Sequence, residues 1–166
     1  MNIEKRSYVI YVDGACPNNG KPGARAGWGA YLVNERGEEL DLAGPIPASD
    51  PQTNSRAELM AMVIGLEAIK KASTLNVHSD SDYVVKGINQ WMEGWRARGW
   101  RTAKGKVAHS DLWKRIYEAT KFHEVTAMWV RGHSGVVGNE RAGHLANRGV
   151  VGERVHERAC PQVANS

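Results

Sequence analysis

The stretch "SYVIYVDGA", residues 7–15, restricts the possible folds more than any other part of the chain. It is β-rich and almost continuously apolar up to Asp13, the pattern of a central strand buried on both faces. Such a strand needs paired neighbours and a covering layer, and the sequence that follows offers them. "ARAGWGAYLVN", residues 24–34, reads as a second strand, and "RG" at 36–37 turns into a third, "EELDLAG". These three form an expected antiparallel meander. "TNSRAELMAMVIGLEAIKKA" then sets Leu59, Met62, Val63, Leu66 and Ile69 on one face of an amphipathic helix. After it come a short strand "LNVHSD", a helix "SDYVVKGINQWM", a helix "SDLWKRIYEAT", a strand "EVTAMWV" and a terminal helix over 139–148. Hairpin strands followed by β-α alternation predict an α/β fold. Its sheet is expected to be five-stranded and mixed, three antiparallel strands and then two parallel ones, flanked by helices. A chain of 166 residues, 42% of them hydrophobic, can build one domain around a full core. That domain is expected over 1–150. The stretch "VGERVHERACPQVANS", 151–166, lacks periodicity and reads as a flexible tail.

Charge is concentrated rather than spread. The segment "WMEGWRARGWRTAKGK", 91–106, carries Arg96, Arg98, Arg101, Lys104 and Lys106 against Glu93 alone, a balance of five minus one that equals the net +4 of the whole chain. A local basic cluster points to a polyanionic partner at one place. No apolar run reaches the length of a membrane span, and the apolar start is too short for a signal peptide. Cys16 and Cys160 lack metal-ligand spacing and read as reduced thiols. A cytoplasmic protein with no membrane partner is expected.

Four residues could carry chemistry, and each reads two ways. Asp13 closes an apolar strand, where a charge is costly unless paired or bound to a metal, but "DG" also starts turns. Asp80 closes "LNVHSD", at the strand end where α/β sheets place ligands, but it could equally cap the next helix with Ser81. Glu58 completes "SRAE", a capping-box pattern, yet lies beside Met62 at the edge of the apolar stripe and could point to the sheet. His133 sits in the loop "RGHSG", either simply solvated or placed as a proton carrier. Three carboxylates meeting at one sheet edge would repel one another, and oxygen-rich acidic sites resolve this with hard cations, chiefly Mg²⁺. Two such ions suit phosphodiester hydrolysis.

The motifs "YVDGACPNNG", "QTNSRAELMA", "HSDSDYVVKGINQW", "GWRARGWRTAKGK" and "RGHSGVVGNERA", in this order and spacing, strongly resemble those of a type 1 ribonuclease H. The resemblance covers residues 7–149. It implies a ribonuclease H-like fold and a metal-dependent endoribonuclease that hydrolyses the RNA strand of RNA–DNA hybrids. It also implies two Mg²⁺ ions, with Mn²⁺ able to substitute, and products with 5′-phosphate and 3′-hydroxyl ends. Asp13, Glu58 and Asp80 match the family's first three acids, and His133 its loop histidine, associated with proton transfer and product release. The fourth acid of the family falls at Gly143. Asn147, Glu140 and His144 are the candidate weak substitutes for it, and a water-filled gap is the other possibility. Cys16, Asn18, Asn19, Thr53, Asn54 and Ser55 match positions near the substrate strands. Trp91 and Trp95 match aromatics of the DNA-strand groove, with core packing for part of each ring. Arg96, Arg98, Arg101 and Lys104 form the basic arm. His109 and Pro51 depart from residues common among relatives near bound phosphate. The resemblance implies a monomer with an RNA–DNA hybrid as its partner. The alternative is a non-catalytic or impaired hybrid-binding module, disabled by the missing fourth acid; a related two-metal nuclease such as a junction resolvase or integrase core is a further rival.

Overall fold

A computed structural model of the chain describes residues 5–161. The first three strands are β1 (Ser7–Ala15), β2 (Gly27–Asn34) and β3 (Glu39–Pro45), an antiparallel meander in which Asp13 pairs with Gly29 and Tyr31 with Asp41. Helix α1 (Asn54–Glu67) crosses to β4 (Thr74–Ser79), which lies parallel to β1 on its other side. The expected second helix is broken into α2 (Asp82–Lys86), one π-helical turn (Gly87–Trp91) and α3 (Met92–Ala97). The basic segment ends in a small hairpin of β5 (Arg101–Thr102) and β6 (Gly105–Lys106). Then follow α4 (Ser110–Phe122), β7 (Glu124–Trp129), parallel to β4, and α5 (Val137–Val150).

One expectation is corrected at the end of the chain. Residues 155–159, placed in the flexible tail, form β8 (Val155–Ala159), antiparallel to β3, so the main sheet has six strands in the order β7-β4-β1-β2-β3-β8. β3 would otherwise present an unpaired edge, and Val155 is buried beside Tyr31, Ala43 and Leu145. Residues 162–166 of that tail lie outside the described residues.

The core has two layers. α1 packs on β1 and β2, and α4 on α1 and β7, so that Ile10, Val12, Leu59, Met62, Leu75, Val77 and Trp113 interlock on one face of the sheet. α5 covers β1, β2 and β3 on the other. That second layer is partial. Val9 on β1 and Met128 on β7 stay 37% and 40% exposed, so β1 is fully buried on only one face. The sequence pattern could not show this, because it records apolarity and not how far a covering helix extends.

Candidate active site

Three elements deliver the acids to one sheet edge. Asp13 stands near the carboxyl end of β1, and Asp80 directly follows β4, its parallel neighbour. Glu58 comes from the first turns of α1. The cap of that helix is Thr53, whose hydroxyl accepts from the Arg56 amide at 3.1 Å. Ser55 therefore does not cap, the "SRAE" box does not form, and Glu58 is released from backbone duty. Likewise Ser81, not Asp80, caps α2 by accepting from Val84 N–H at 3.2 Å. Gly14 permits the close approach of β1 to α1, since a Cβ there would collide with the backbone of Ala57 and Glu58.

The result is a cluster in which oxygens of Asp13, Glu58 and Asp80 lie within 4.8 Å of one another. They line a cavity of about 410 Å³ together with His133, Asn139, Glu140, Gly143, His144 and Asn147, and no Lys or Arg among the described residues lines it. Burial, then the neighbouring Asp80 and Glu58, pushes the Asp13 carboxyl up to about 8, although one oxygen accepts from Gly14 N–H at 2.9 Å. Burial and Asp80 also raise Glu58, opposed by a hydrogen bond from Ser81. An all-oxygen, all-anionic donor set with its charge uncompensated fits hard divalent cations.

Asp80 is held from behind. The Trp129 indole N–H donates to its backbone carbonyl at 3.1 Å. Gly132 lies so close that a Cβ there would come within 2.7 Å of the Asp80 carboxylate. His133 follows at φ 54°, a left-handed conformation unusual for a side-chain-bearing residue, with its ring exposed at the cavity rim.

Position 143 faces the cluster. A Cβ on Gly143 would sit 3.1 Å from Asp13 Oδ2, with nothing else within 4 Å outside its own helix. Glu140, His144 and Asn147 reach the same cavity but are exposed, and neither Glu140 nor His144 joins the carboxylate cluster. Three further residues also bear on the site. Ser81 and Trp129 touch two of the acids, and Asn139 is a buried lining residue. A serine before a helix hinted at the first; nothing in the pattern marked the other two.

The remaining expected residues extend from this edge. Asn19 Oδ1 accepts from Asn54 N–H at 3.0 Å, tying the loop after β1 to the start of α1, with Asn18 exposed next to it and Ser55 half-buried one residue on. Cys16 is buried and turns its thiol to the Gln52 carbonyl, away from the surface. Trp91 is 37% exposed and packs on Trp95 at 5.9 Å, while Trp95 backs onto buried Trp113 at 5.2 Å. Arg98, Arg101 and Lys104 are exposed on the arm; Arg96 is exposed too but is ion-paired to Glu93 at 2.6 Å. His109 takes a left-handed conformation, φ 57°, before α4, with Nδ1 3.4 Å from the Arg56 guanidinium. Pro51 is exposed ahead of α1.

The sequence profile of the RNase H family matches residues 5–151. The chain belongs to the ribonuclease H family. Ribonuclease H of Cupriavidus metallidurans is 52% identical over 144 residues, covering 86% of this chain and 94% of that protein. Ribonuclease HI of Pseudomonas aeruginosa is 47% identical over 149 residues, covering 89% and 96%. Among solved structures, LC9-RNase H1, a type 1 RNase H with the type 2 active-site motif, superposes with a TM-score of 0.83 at 27% identity, over 97% of this chain and 80% of that one. Family membership makes the chain an endoribonuclease and agrees with the expected mixed sheet. No helix among the described residues is long and apolar enough to cross a membrane.

Proposed function

We propose that the protein hydrolyses the RNA strand of RNA–DNA hybrids endonucleolytically, with divalent cations held by Asp13, Glu58 and Asp80. The observation that carries this reading is the convergence of the three carboxylates within 4.8 Å at the carboxyl ends of β1 and β4. Two Mg²⁺ ions bound there, or Mn²⁺ in their place, would activate a water for attack on phosphorus and stabilise the departing 3′ oxygen. Asp13 and Asp80 project from a rigid sheet, and Glu58 from a helix packed on it, so the ligands need little rearrangement. His133 at the rim serves as the proton carrier, exchanging with water because it is exposed. The products are a 5′-phosphate and a 3′-hydroxyl.

Substrate recognition follows from what surrounds the acids. Asn18, Asn19, Thr53, Asn54 and Ser55 form a short polar strip suited to 2′-hydroxyls across a wide minor groove, with Cys16 contributing through its backbone. Trp91 offers an exposed aromatic edge to the DNA strand, and the basic arm holds its phosphates. LC11-RNase H1, whose structure is in complex with an RNA/DNA hybrid, shares the fold at a TM-score of 0.62 and 20% identity. The protein acts as a cytoplasmic monomer on this reading.

The test is an end-labelled RNA–DNA hybrid incubated with Mg²⁺, beside duplex DNA, duplex RNA and single-stranded RNA. Cleavage of the hybrid's RNA alone, leaving 5′-phosphate ends and abolished by chelation, is expected. A hybrid bound but left intact would make the protein a binding module instead, and cleavage of duplex DNA would make it a nuclease of another kind.

A further inference from the structure

Asn139 has no part in the reading above, yet it is the most deeply buried polar side chain at the cavity. It is 3% exposed, in the first turn of α5, and lines the cavity with the three acids. Its Oδ1 is buried with no hydrogen-bond partner among the described residues. An orphaned amide oxygen is a standing cost in a folded protein, and such groups call for an explanation. Among the described residues the cavity supplies no Lys or Arg to satisfy it. Asn139 also lies one helical turn before Gly143, where α5 faces Asp13 without presenting a side chain. A carboxamide's oxygen and nitrogen are nearly equal in size, so rotation of the terminal group turns either one toward the cavity.

We propose that Asn139 is a neutral oxygen donor to the divalent cation on the α5 side of the cluster, in a chain whose α5 contributes no carboxylate there. This rests on the acid cluster being the cation site. It explains why a polar side chain is buried at this turn beside the acids.

Mn²⁺ titration followed by thermal unfolding tests it without any turnover. Each variant is referred to its own metal-free Tm. Asn139→Ala should raise the Mn²⁺ concentration for half-maximal stabilisation by about tenfold, the scale of losing a supporting ligand at a metal site. Asn139→Asp should lower it below wild type, because a carboxylate then occupies the donor position. A half-saturation unchanged in Asn139→Ala overturns the proposal, even if its metal-free Tm has dropped, since that is the mark of a purely structural asparagine. Where Asn139→Ala does not fold, Asn139→Asp decides: tighter Mn²⁺ supports the assignment, and unchanged or weaker Mn²⁺ overturns it. Asp80→Asn separates the two readings. If wild type shows no Mn²⁺-dependent shift, or the shift survives Asp80→Asn, the cluster is not the cation site and the Asn139 assignment falls with it. If the shift vanishes in Asp80→Asn but is untouched by either Asn139 change, only the Asn139 assignment falls.

Discussion

At Asp80 a tryptophan N–H holds the backbone carbonyl, and Gly132 leaves room for a carboxylate that a Cβ there would approach to 2.7 Å. Asp80→Asn should therefore keep its place and lose only its charge. Hybrid cleavage is expected to drop by at least about a hundredfold, beyond what loss of a mere supporting partner costs. The metal-free Tm should hold or rise, because Asp13 and Glu58 lose a repelling neighbour. Full activity in this variant would remove Asp80 from the site. Gly143 poses the complementary question. Gly143→Asp brings a fourth carboxylate against Asp13, and the Mg²⁺ needed for half-maximal cleavage should fall. The gain of about 0.3 kcal/mol that aspartate has over a mid-helix glycine is then opposed by new repulsion in the metal-free protein. Gly143→Ala has the helix gain alone, with the Asp13 carboxylate shifting slightly to accept a Cβ at 3.1 Å, and its Mg²⁺ requirement should match wild type. If Asp and Ala behave alike, position 143 does not act on the ions. The sequence placed all three acids but left each ambiguous, since whether Thr53 or Ser55 caps α1 is decided by backbone geometry. Asn139 was not legible at all, because a missing partner exists only after folding.

The elements legible in the sequence are those with strong periodicity and a clear boundary. β1 to β3, β4 and α4 lie within a few residues of their expected ends, because apolar spacing and turn residues act locally; α1 starts where expected but ends at Glu67, so that Ile69, expected on its apolar face, lies beyond the helix. The pattern from Ser81 onward predicts one unbroken helix and carries no mark of the π-helical turn, which forms where Gly87 packs under Trp113. β8 was invisible for the opposite reason: only Val155 is buried in "VHERA", and the strand exists because β3 offers an edge. Truncation after Arg154 should lower the Tm by about 4–8 °C at this chain length, for the lost ladder and one buried valine. Cleavage at 25 °C should be unchanged, since β8 lies at the far edge from β4. The basic arm behaves differently. Arg96 is already engaged by Glu93 and lies 5.7 Å over Tyr117, so the reach toward phosphate belongs mainly to Arg98, Arg101 and Lys104. Replacing those three by Ala should weaken hybrid binding and flatten its salt dependence by up to ~0.9 per lost phosphate contact, leaving turnover at saturation little changed. A salt slope that does not move would mean the arm is not a phosphate contact.

Across the whole molecule, charge is segregated: a carboxylate cluster at one sheet edge, and a basic arm that carries the chain's entire net charge of +4. Neither pole is balanced within the protein, and this leaves a signature in how stability responds to pH. The Asp13 carboxyl is raised to about 8 when folded, by burial first and then by Asp80 and Glu58. The folded protein therefore holds a proton that the unfolded chain has released, and stability falls as pH rises from about 4 toward 8. His123 acts at the other end. It is buried between the α1–β4 and α4–β7 connections, where its Nδ1 accepts from Ser73 N–H at 3.1 Å, and burial lowers its pKa below 6.5. Its contribution is present above 6.5 and is lost as pH falls below, when the unfolded chain takes up the proton first. His123 thus offsets much of the Asp13 slope below 6.5 and none of it well above, so metal-free stability should change little up to about pH 6 and then fall, with Tm lower by about 3 °C or more between pH 6 and 8, a change equivalent to roughly 1 kcal/mol at this size. Saturating Mg²⁺ favours the ionised carboxylate and should flatten the curve over that interval, as should Asp13→Asn without metal. Thermal unfolding in chelator and in Mg²⁺ across pH 5 to 9 measures both. A chelator curve already flat from pH 6 to 8 would mean that Asp13 ionises freely in the folded chain, and that the cluster does not store the repulsion a cation would relieve.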